Sequence, residues 1–373
     1  MLKYKFKFDI GLVLALIIMA IISVTSIYFA TSILPNYMHN LALKQIMWYG
    51  IGVLFVVLVM YTGNNIIIKN IWYIYGISIL FLILLLFFGE PINNAKCWFS
   101  IPGIGTIQPS EFMKIILIVV IATVLDKFRY DFPKPTVKDE LTLLIKVMLI
   151  VAIPSILTFL QPDTGVVLIY LLITITMLFV GGIRYRWFII LIGALLLVVG
   201  IVVIIYFWNT DLFVNIFGTD FFLRIDRLLD WSNSTGFQLE NGKSAMGSAG
   251  VFGNLKVPAY FPEAGTDFIF AAYASTFGFI GSFILLCLIT YFDLKLITIA
   301  LKTKKRINKY IIAGIIGMLI YQQLQNIGMT FGLMPITGIT LPFISYGGSS
   351  LISYMIMIGI VLNISNDNLK FKN

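Results

Sequence analysis

One histidine and two cysteines are almost all that this chain of 373 residues offers a soft metal or a disulfide. His39 has no candidate ligand near it in sequence, so a metal site built on it is not expected. Cys97 falls between apolar runs and Cys287 deep within one. They cannot meet, so no disulfide is expected and both read as ordinary residues. Charge is scarce too: Asp, Glu, Lys and Arg make up 12% of the chain, against about a quarter in soluble domains, while 60% is hydrophobic. That composition excludes a soluble globular domain and indicates an all-α, polytopic membrane protein. There is no glycine-rich nucleotide motif and no low-complexity tail, so ATP-driven transport would require another subunit.

Apolar runs dominate what is there, and about 20 such residues suffice to cross ~30 Å of hydrocarbon. Ten spans are predicted: Ile10–Ala30, Ile46–Tyr61, Ile71–Phe88, Phe112–Leu125, Leu141–Leu160, Thr164–Gly181, Trp187–Trp208, Phe268–Leu296, Tyr310–Phe331 and Tyr346–Ile364. The fourth is short and is expected to start within Gln108–Glu111. Only Gln161-Pro162-Asp163 separates the fifth from the sixth, which requires a tight turn. Residues 1–373 read as a single transmembrane domain, with 209–266 as one large outer loop before the eighth span.

Basic residues set the orientation. With the N-terminus inside, only seven of the 26 lie outside: Lys44, Lys96, Lys114, Arg224, Arg227, Lys243 and Lys256. This is the positive-inside pattern, and it places both termini in the cytoplasm. The net charge of +9 is therefore a topology signal and not a nucleic-acid footprint. Lys3, Lys5 and Lys7 precede a run too long for a secretory signal, with no clean small-x-small site after it. A retained first span is expected.

Polar information concentrates in four outward-facing segments. In Gln108-Pro109-Ser110-Glu111-Phe112-Met113-Lys114, Pro109 suits a helix start, Ser110 can cap it and Glu111 favours the positive end of the dipole. Glu111 and Lys114 are spaced to pair on one helix face, which leaves unexplained why a lysine sits inside the apolar boundary. Asp163, in Gln161-Pro162-Asp163-Thr164-Gly165, can initiate the turn or cap the sixth span. The long loop carries Arg224, Asp226, Arg227, Asp230 and Trp231, then Gly242, Gly247, Gly250 and Gly253; these could hold an anionic or sugar ligand, or simply compact the loop. It ends in Phe261-Pro262-Glu263-Ala264-Gly265-Thr266-Asp267, which leaves a carboxylate where water gives way to lipid. Such a residue is either functional or, as Thr266 or Asp267, a cap for the next helix. The fourth segment, Pro335 to Ser350, joins the last two spans without a charge and is expected to be re-entrant or packed against the bundle.

Taken together, the four segments resemble the SEDS family (shape, elongation, division and sporulation; RodA, FtsW and SpoVE). The likeness covers essentially the whole chain and leans toward RodA more than FtsW. It rests on Gln108-Pro109-Ser110-Glu111 with Lys114, on Gln161-Pro162-Asp163-Thr164-Gly165, on Pro262 to Ala271, and on the run from Asn326-Ile327-Gly328-Met329 through Ser350. The resemblance implies a peptidoglycan glycosyltransferase of the cytoplasmic membrane that polymerises lipid II at the outer face, for elongation, division or sporulation. Its implied partners are lipid II, the growing polyprenyl-linked glycan, membrane lipids and a class B penicillin-binding transpeptidase, with no nucleic acid. The family's required aspartate matches Asp267, and its Glu and Lys match Glu111 and Lys114. Lys96, Gln108, Arg224, Arg227 and Ser345 complete the expected substrate-binding set. The sequence departs from the family where paired glutamates usually precede Gly-Phe-x-Gly, since Ala274-Ser275-Thr276-Phe277-Gly278-Phe279-Ile280-Gly281 has none. Gly250-Val251-Phe252-Gly253 likewise lacks the usual Gly-Lys-Gly.

In the implied chemistry a sugar hydroxyl attacks the anomeric carbon of a glycosyl pyrophosphate, and a positioned carboxylate is the plausible general base, which makes Asp267 the candidate. The leaving pyrophosphate needs only charge neutralisation, which Arg224, Arg227, Lys114 or a divalent cation could supply; no cofactor is otherwise expected. Two other classes remain open. A flippase for lipid-linked precursors would need polar or broken helices near mid-membrane, and a non-catalytic scaffold for a transpeptidase would not need Asp267.

Overall fold

The apolar runs fold as helices because no other backbone satisfies its own amides in lipid. The computed structural model of the chain describes residues 9–31, 40–92, 95–101, 105–219, 221–222, 237–255 and 261–370. In order, these form α1 (Ile10–Thr31), α2 (Leu41–Thr62), α3 (Asn64–Lys69), α4 (Ile71–Phe88), the strands β1 (Glu90–Ile92), β2 (Ala95–Ile101) and β3 (Gly105–Ile107), then α5 (Pro109–Asp131), α6 (Val137–Leu160), α7 (Thr164–Val180) and α8 (Tyr185–Trp208). There follow α9 (Thr210–Phe217), α10 (Phe237–Ser248), α11 (Ile269–Lys302), α12 (Arg306–Thr330) and α13 (Gly348–Lys370). Each of the ten expected spans falls on helical residues, the eighth across a break described below. Eight helices among the described residues are long and apolar enough to cross a membrane, and α7 is a shorter apolar one. α5 is as long as these, but its polar and charged residues set it apart.

Burial sorts the helices into a centre and a rim. α13 has 78% of its apolar window buried and packs along α2, where a Cβ added at Gly359 would come within 2.8 Å of Val59 Cβ. A small residue lets the two backbones approach that closely. α12 packs on α5, α7 and α11, and α1 on α11. α8 has none of its apolar window buried and lies at the rim. Its N-terminal end is tied to α6, where Trp187 Nε1 donates to Glu140 Oε2 at 2.9 Å and Arg184 Nε lies 3.4 Å from Glu140 Oε1.

Three features of the fold were not read from the sequence. The loop before α5 forms a small antiparallel sheet in the order β1-β2-β3. Cys97 is buried in it and donates to Gln161 O at 2.8 Å, which fixes β2 against the α6–α7 turn. The loop expected over 209–266 contains the helices α9 and α10. Finally, the eighth span is not one continuous helix: α11 breaks at Gly278 (φ 69, ψ −163), and the segment after α10 fills the break. There Phe279 N donates to Gly250 O at 3.1 Å, Ile280 N to Val251 O at 3.2 Å, and Asn254 N to Ser275 O at 3.0 Å. A Cβ on Gly253 would lie 2.2 Å from Thr276 O, so glycine is required where the two backbones meet. Ser275 and Thr276 donate their hydroxyls to Ala272 O, at 2.9 and 2.8 Å.

Candidate active site

The uncharged stretch between α12 and α13 is irregular, yet its carbonyls are satisfied by the helices around it. Gln325 Nε2 donates to Pro335 O (2.7 Å), Asn326 Nδ2 to Ile339 O (2.8 Å), Ser23 Oγ to Ile344 O (2.7 Å) and Gln45 Nε2 to Ser345 O (3.2 Å); Tyr49 donates to Phe343 O. So anchored, the stretch holds the turn that carries Asp267. Ser345 Oγ donates to Thr266 O at 2.6 Å, Tyr346 N to Gly265 O at 2.9 Å, and Asn326 Nδ2 also to Asp267 O at 2.7 Å. Within the turn, Glu263 stands at φ 58, and its carbonyl accepts from the amides of Thr266 and Phe268. Neither Thr266 nor Asp267 caps α11: Phe268 is its N-cap residue, and no side-chain cap bond forms.

Asp267 opens on a cavity of about 570 Å³ that Gln108, Glu111, Asp163, Glu263, Gln322 and Tyr346 also line. Among the described residues its carboxylate makes no hydrogen bond or ion pair and is half-buried. Burial, together with the repulsion of Glu263, pushes the Asp267 carboxyl up to about 7. Asp163 is carried up to about 6 by burial, against the bond it accepts from Val166 N, which makes it the cap of α7. Gln108 Nε2 donates to Asp163 Oδ2 at 2.7 Å, joining the starts of α5 and α7, while Gln108 N donates to Ser349 Oγ at 2.9 Å.

The Glu111–Lys114 pair forms, with Lys114 Nζ 2.7 Å from Glu111 Oε2. The lysine was expected to reach a pyrophosphate, but its side chain is fully buried behind Glu111, with the amine 5.2 Å from the centre of the Tyr354 ring. Glu111 lines the cavity. A buried cation with one carboxylate and one aromatic face holds that carboxylate in place. Ser345 is committed to the Asp267 turn and to Leu341 N, so it acts on backbone rather than on a ligand. Ser110 does not cap α5, whose cap residue is Gln108; instead, Ser110 O accepts from Tyr170. Lys96 is exposed on β2. Arg224 and Arg227, like Asp226 and Asp230, lie outside the described residues.

Sequence reasoning gave no role to Asn326 and none to Gln322, one turn earlier on α12. The available signal was a cluster of amides, Gln322, Gln323, Gln325 and Asn326, inside an otherwise apolar span. Among the described residues no group of three His, Cys, Asp or Glu side chains is placed to hold a metal ion. A divalent cation here would have to share one or two of the cavity's carboxylates with a substrate phosphate.

Comparison with known proteins agrees with this arrangement. A family model described as "cell cycle protein", built on FtsW, RodA and SpoVE, matches residues 7–370. The probable peptidoglycan glycosyltransferase FtsW of Lactococcus lactis is 31% identical over 301 residues, covering 74% of this chain and 70% of its own length. Stage V sporulation protein E of Bacillus subtilis is 30% identical over 386 residues, covering 96% of each. Among solved structures, a chain of a peptidoglycan synthase complex that coordinates polymerisation and crosslinking superposes with a TM-score of 0.78 at 27% identity, over 97% of this chain and 98% of that one. The rod shape determining protein RodA of Thermus thermophilus superposes with a TM-score of 0.71 at 26% identity, over 98% of each chain.

Proposed function

This chain belongs to the FtsW, RodA and SpoVE family of cell cycle proteins, and from that premise we propose that it is a peptidoglycan glycosyltransferase that polymerises lipid II at the outer face of the cytoplasmic membrane. The observation that carries the reading is Asp267, a carboxylate held by its backbone at the rim of a large polar cavity, with no partner among the described residues and with no capping role.

A general base works best when its affinity for a proton lies near the working pH, and burial lifts the Asp267 carboxyl into that range. As the acceptor's sugar hydroxyl attacks the anomeric carbon of the donor, Asp267 takes its proton. The new glycosidic bond forms while the bond from that carbon to the pyrophosphate oxygen breaks, and the polyprenyl pyrophosphate leaves with the electron pair. Attack from the face opposite the leaving group gives inversion in one step, so no covalent intermediate is needed. Glu111, fixed by Lys114, and Asp163, fixed by Gln108, line the same cavity. The negative leaving group needs a counter-charge that Lys114, behind Glu111, does not present to the cavity; Arg224 and Arg227 of the outer loop are the proposed source. A class B penicillin-binding transpeptidase is the proposed partner, a reading supported by the likeness to a chain of a peptidoglycan synthase complex that coordinates polymerisation and crosslinking.

The experiment is synthesis of glycan strands from lipid II by the purified chain, alone and with its transpeptidase. Product that depends on Asp267 supports the reading; no product under any partner condition would favour a scaffold.

A further inference from the structure

Among the described residues, two buried polar atoms in the cavity wall have no hydrogen-bond partner. Gln322 is 1% exposed, and its amide is oriented by Nε2, which donates to Tyr354 OH at 2.8 Å. That leaves Gln322 Oε1 buried with no hydrogen bond, and Thr337 Oγ1 is in the same state. Both residues line the cavity that Asp267 faces. Gly338, next to Thr337 in the chain, stands at φ +70, and a Cβ added there would lie 3.6 Å from Asp267 Oδ2. A buried acceptor left unpaired is destabilising, so folds seldom keep one without a use. Two such acceptors on the wall that bears the proposed base, beside a residue whose missing side chain leaves room at that base, suit a ligand rich in O–H and N–H groups.

Resting on the glycosyltransferase reading, we infer that Thr337 and Gln322 recognise the substrate sugar by accepting hydrogen bonds from its hydroxyl or acetamido N–H groups, and that Gly338 keeps open the slot through which a sugar hydroxyl reaches Asp267. The ligand class follows from the donor–acceptor count. A purely apolar ligand would leave the two uncharged oxygens unpaired, whereas an N-acetylated sugar offers several neutral donors on a rigid ring.

The test separates recognition from architecture. Thr337→Val conserves shape and removes only an oxygen that bonds no group among the described residues. Its melting temperature is therefore expected to stay level or rise, while kcat/KM for lipid II falls about tenfold, mainly through KM. Thr337→Ser, which keeps the hydroxyl, is expected to retain wild-type kinetics, and Gln322→Met to show the same kinetic loss as Thr337→Val. A lower melting temperature accompanying the loss of activity in Thr337→Val would make the hydroxyl structural and overturn the inference. Unchanged kcat/KM in Thr337→Val would overturn it as well. Asp267→Asn, run alongside, keeps the two readings apart: activity that survives in it refutes the base assignment, whereas its loss beside a fully active Thr337→Val refutes only the sugar subsite.

Discussion

Removing either member of the Glu111–Lys114 pair tests what a buried charge is for in this molecule. The two are 2.7 Å apart, and their side chains are unequally buried, Lys114 at 0% exposure and Glu111 at 10%. Glu111→Gln removes the one carboxylate paired with this buried ammonium and leaves it over the Tyr354 ring, and orphaning a buried charge costs about 3–5 kcal/mol, roughly a hundredfold or more in the folded-to-unfolded ratio. Lys114→Met orphans a carboxylate that borders the cavity and can be hydrated from it, so the cost is expected to be smaller, about 2 kcal/mol. The double variant, with no charge to strand, should recover most of the stability. Unfolding by SDS titration in mixed micelles measures all three. Activity should follow a different rule. If Lys114 serves only to hold Glu111, the double variant polymerises lipid II at the rate of Glu111→Gln alone. A double variant slower than Glu111→Gln by the full factor lost in Lys114→Met would mean that the lysine contacts substrate independently, and the positioning argument would fail.

Two further outcomes follow from the geometry. Since the Asp267 carboxyl is pushed up to about 7 and the base form is the active one, the rate should fall tenfold per pH unit below that value and level off above it; a profile flat down to pH 5 would exclude this group as the base. In Gly253→Ala, the new Cβ meets Thr276 O at 2.2 Å from a residue at φ +80, so the loop must withdraw from the break at Gly278. Its melting temperature in detergent should drop, reflecting a cost of at least about 2 kcal/mol; an unchanged value would show that the clasp contributes nothing.

Much of this architecture is legible in the residues. Apolar runs of membrane length yield every long helix, because lipid leaves the backbone no alternative. The uncharged stretch after α12 reads as packed against the bundle for the same reason, and Ser23, Gln45 and Tyr49 supply its bonds. Glu111 and Lys114 pair at their helical spacing. What the sequence hides is long-range. The bond from Asn326 to Asp267 O spans 59 residues, and that from Ser345 to Thr266 O spans 79. The break in α11 is hidden because Gly278 inside an apolar helix looks like any packing glycine until the loop that fills the break is seen. The sheet of β1 to β3 is too short for an alternating pattern to register. Linear position also cannot tell a side chain that lines a cavity, as Glu111 does, from one that pairs with it from behind, as Lys114 does.

The central claim is that Asp267 is the base of a glycosyl transfer, and the most direct test compares purified wild-type and Asp267→Asn chains, each with its transpeptidase partner, for glycan strands made from lipid II. The amide nearly matches the carboxylate in shape and spares the backbone bonds that hold the turn, so folding and abundance should be unchanged. The rate should nevertheless fall by about 10²–10⁴-fold, the usual worth of a positioned base. Strands of ordinary length, formed by Asp267→Asn at close to the wild-type rate, would contradict it.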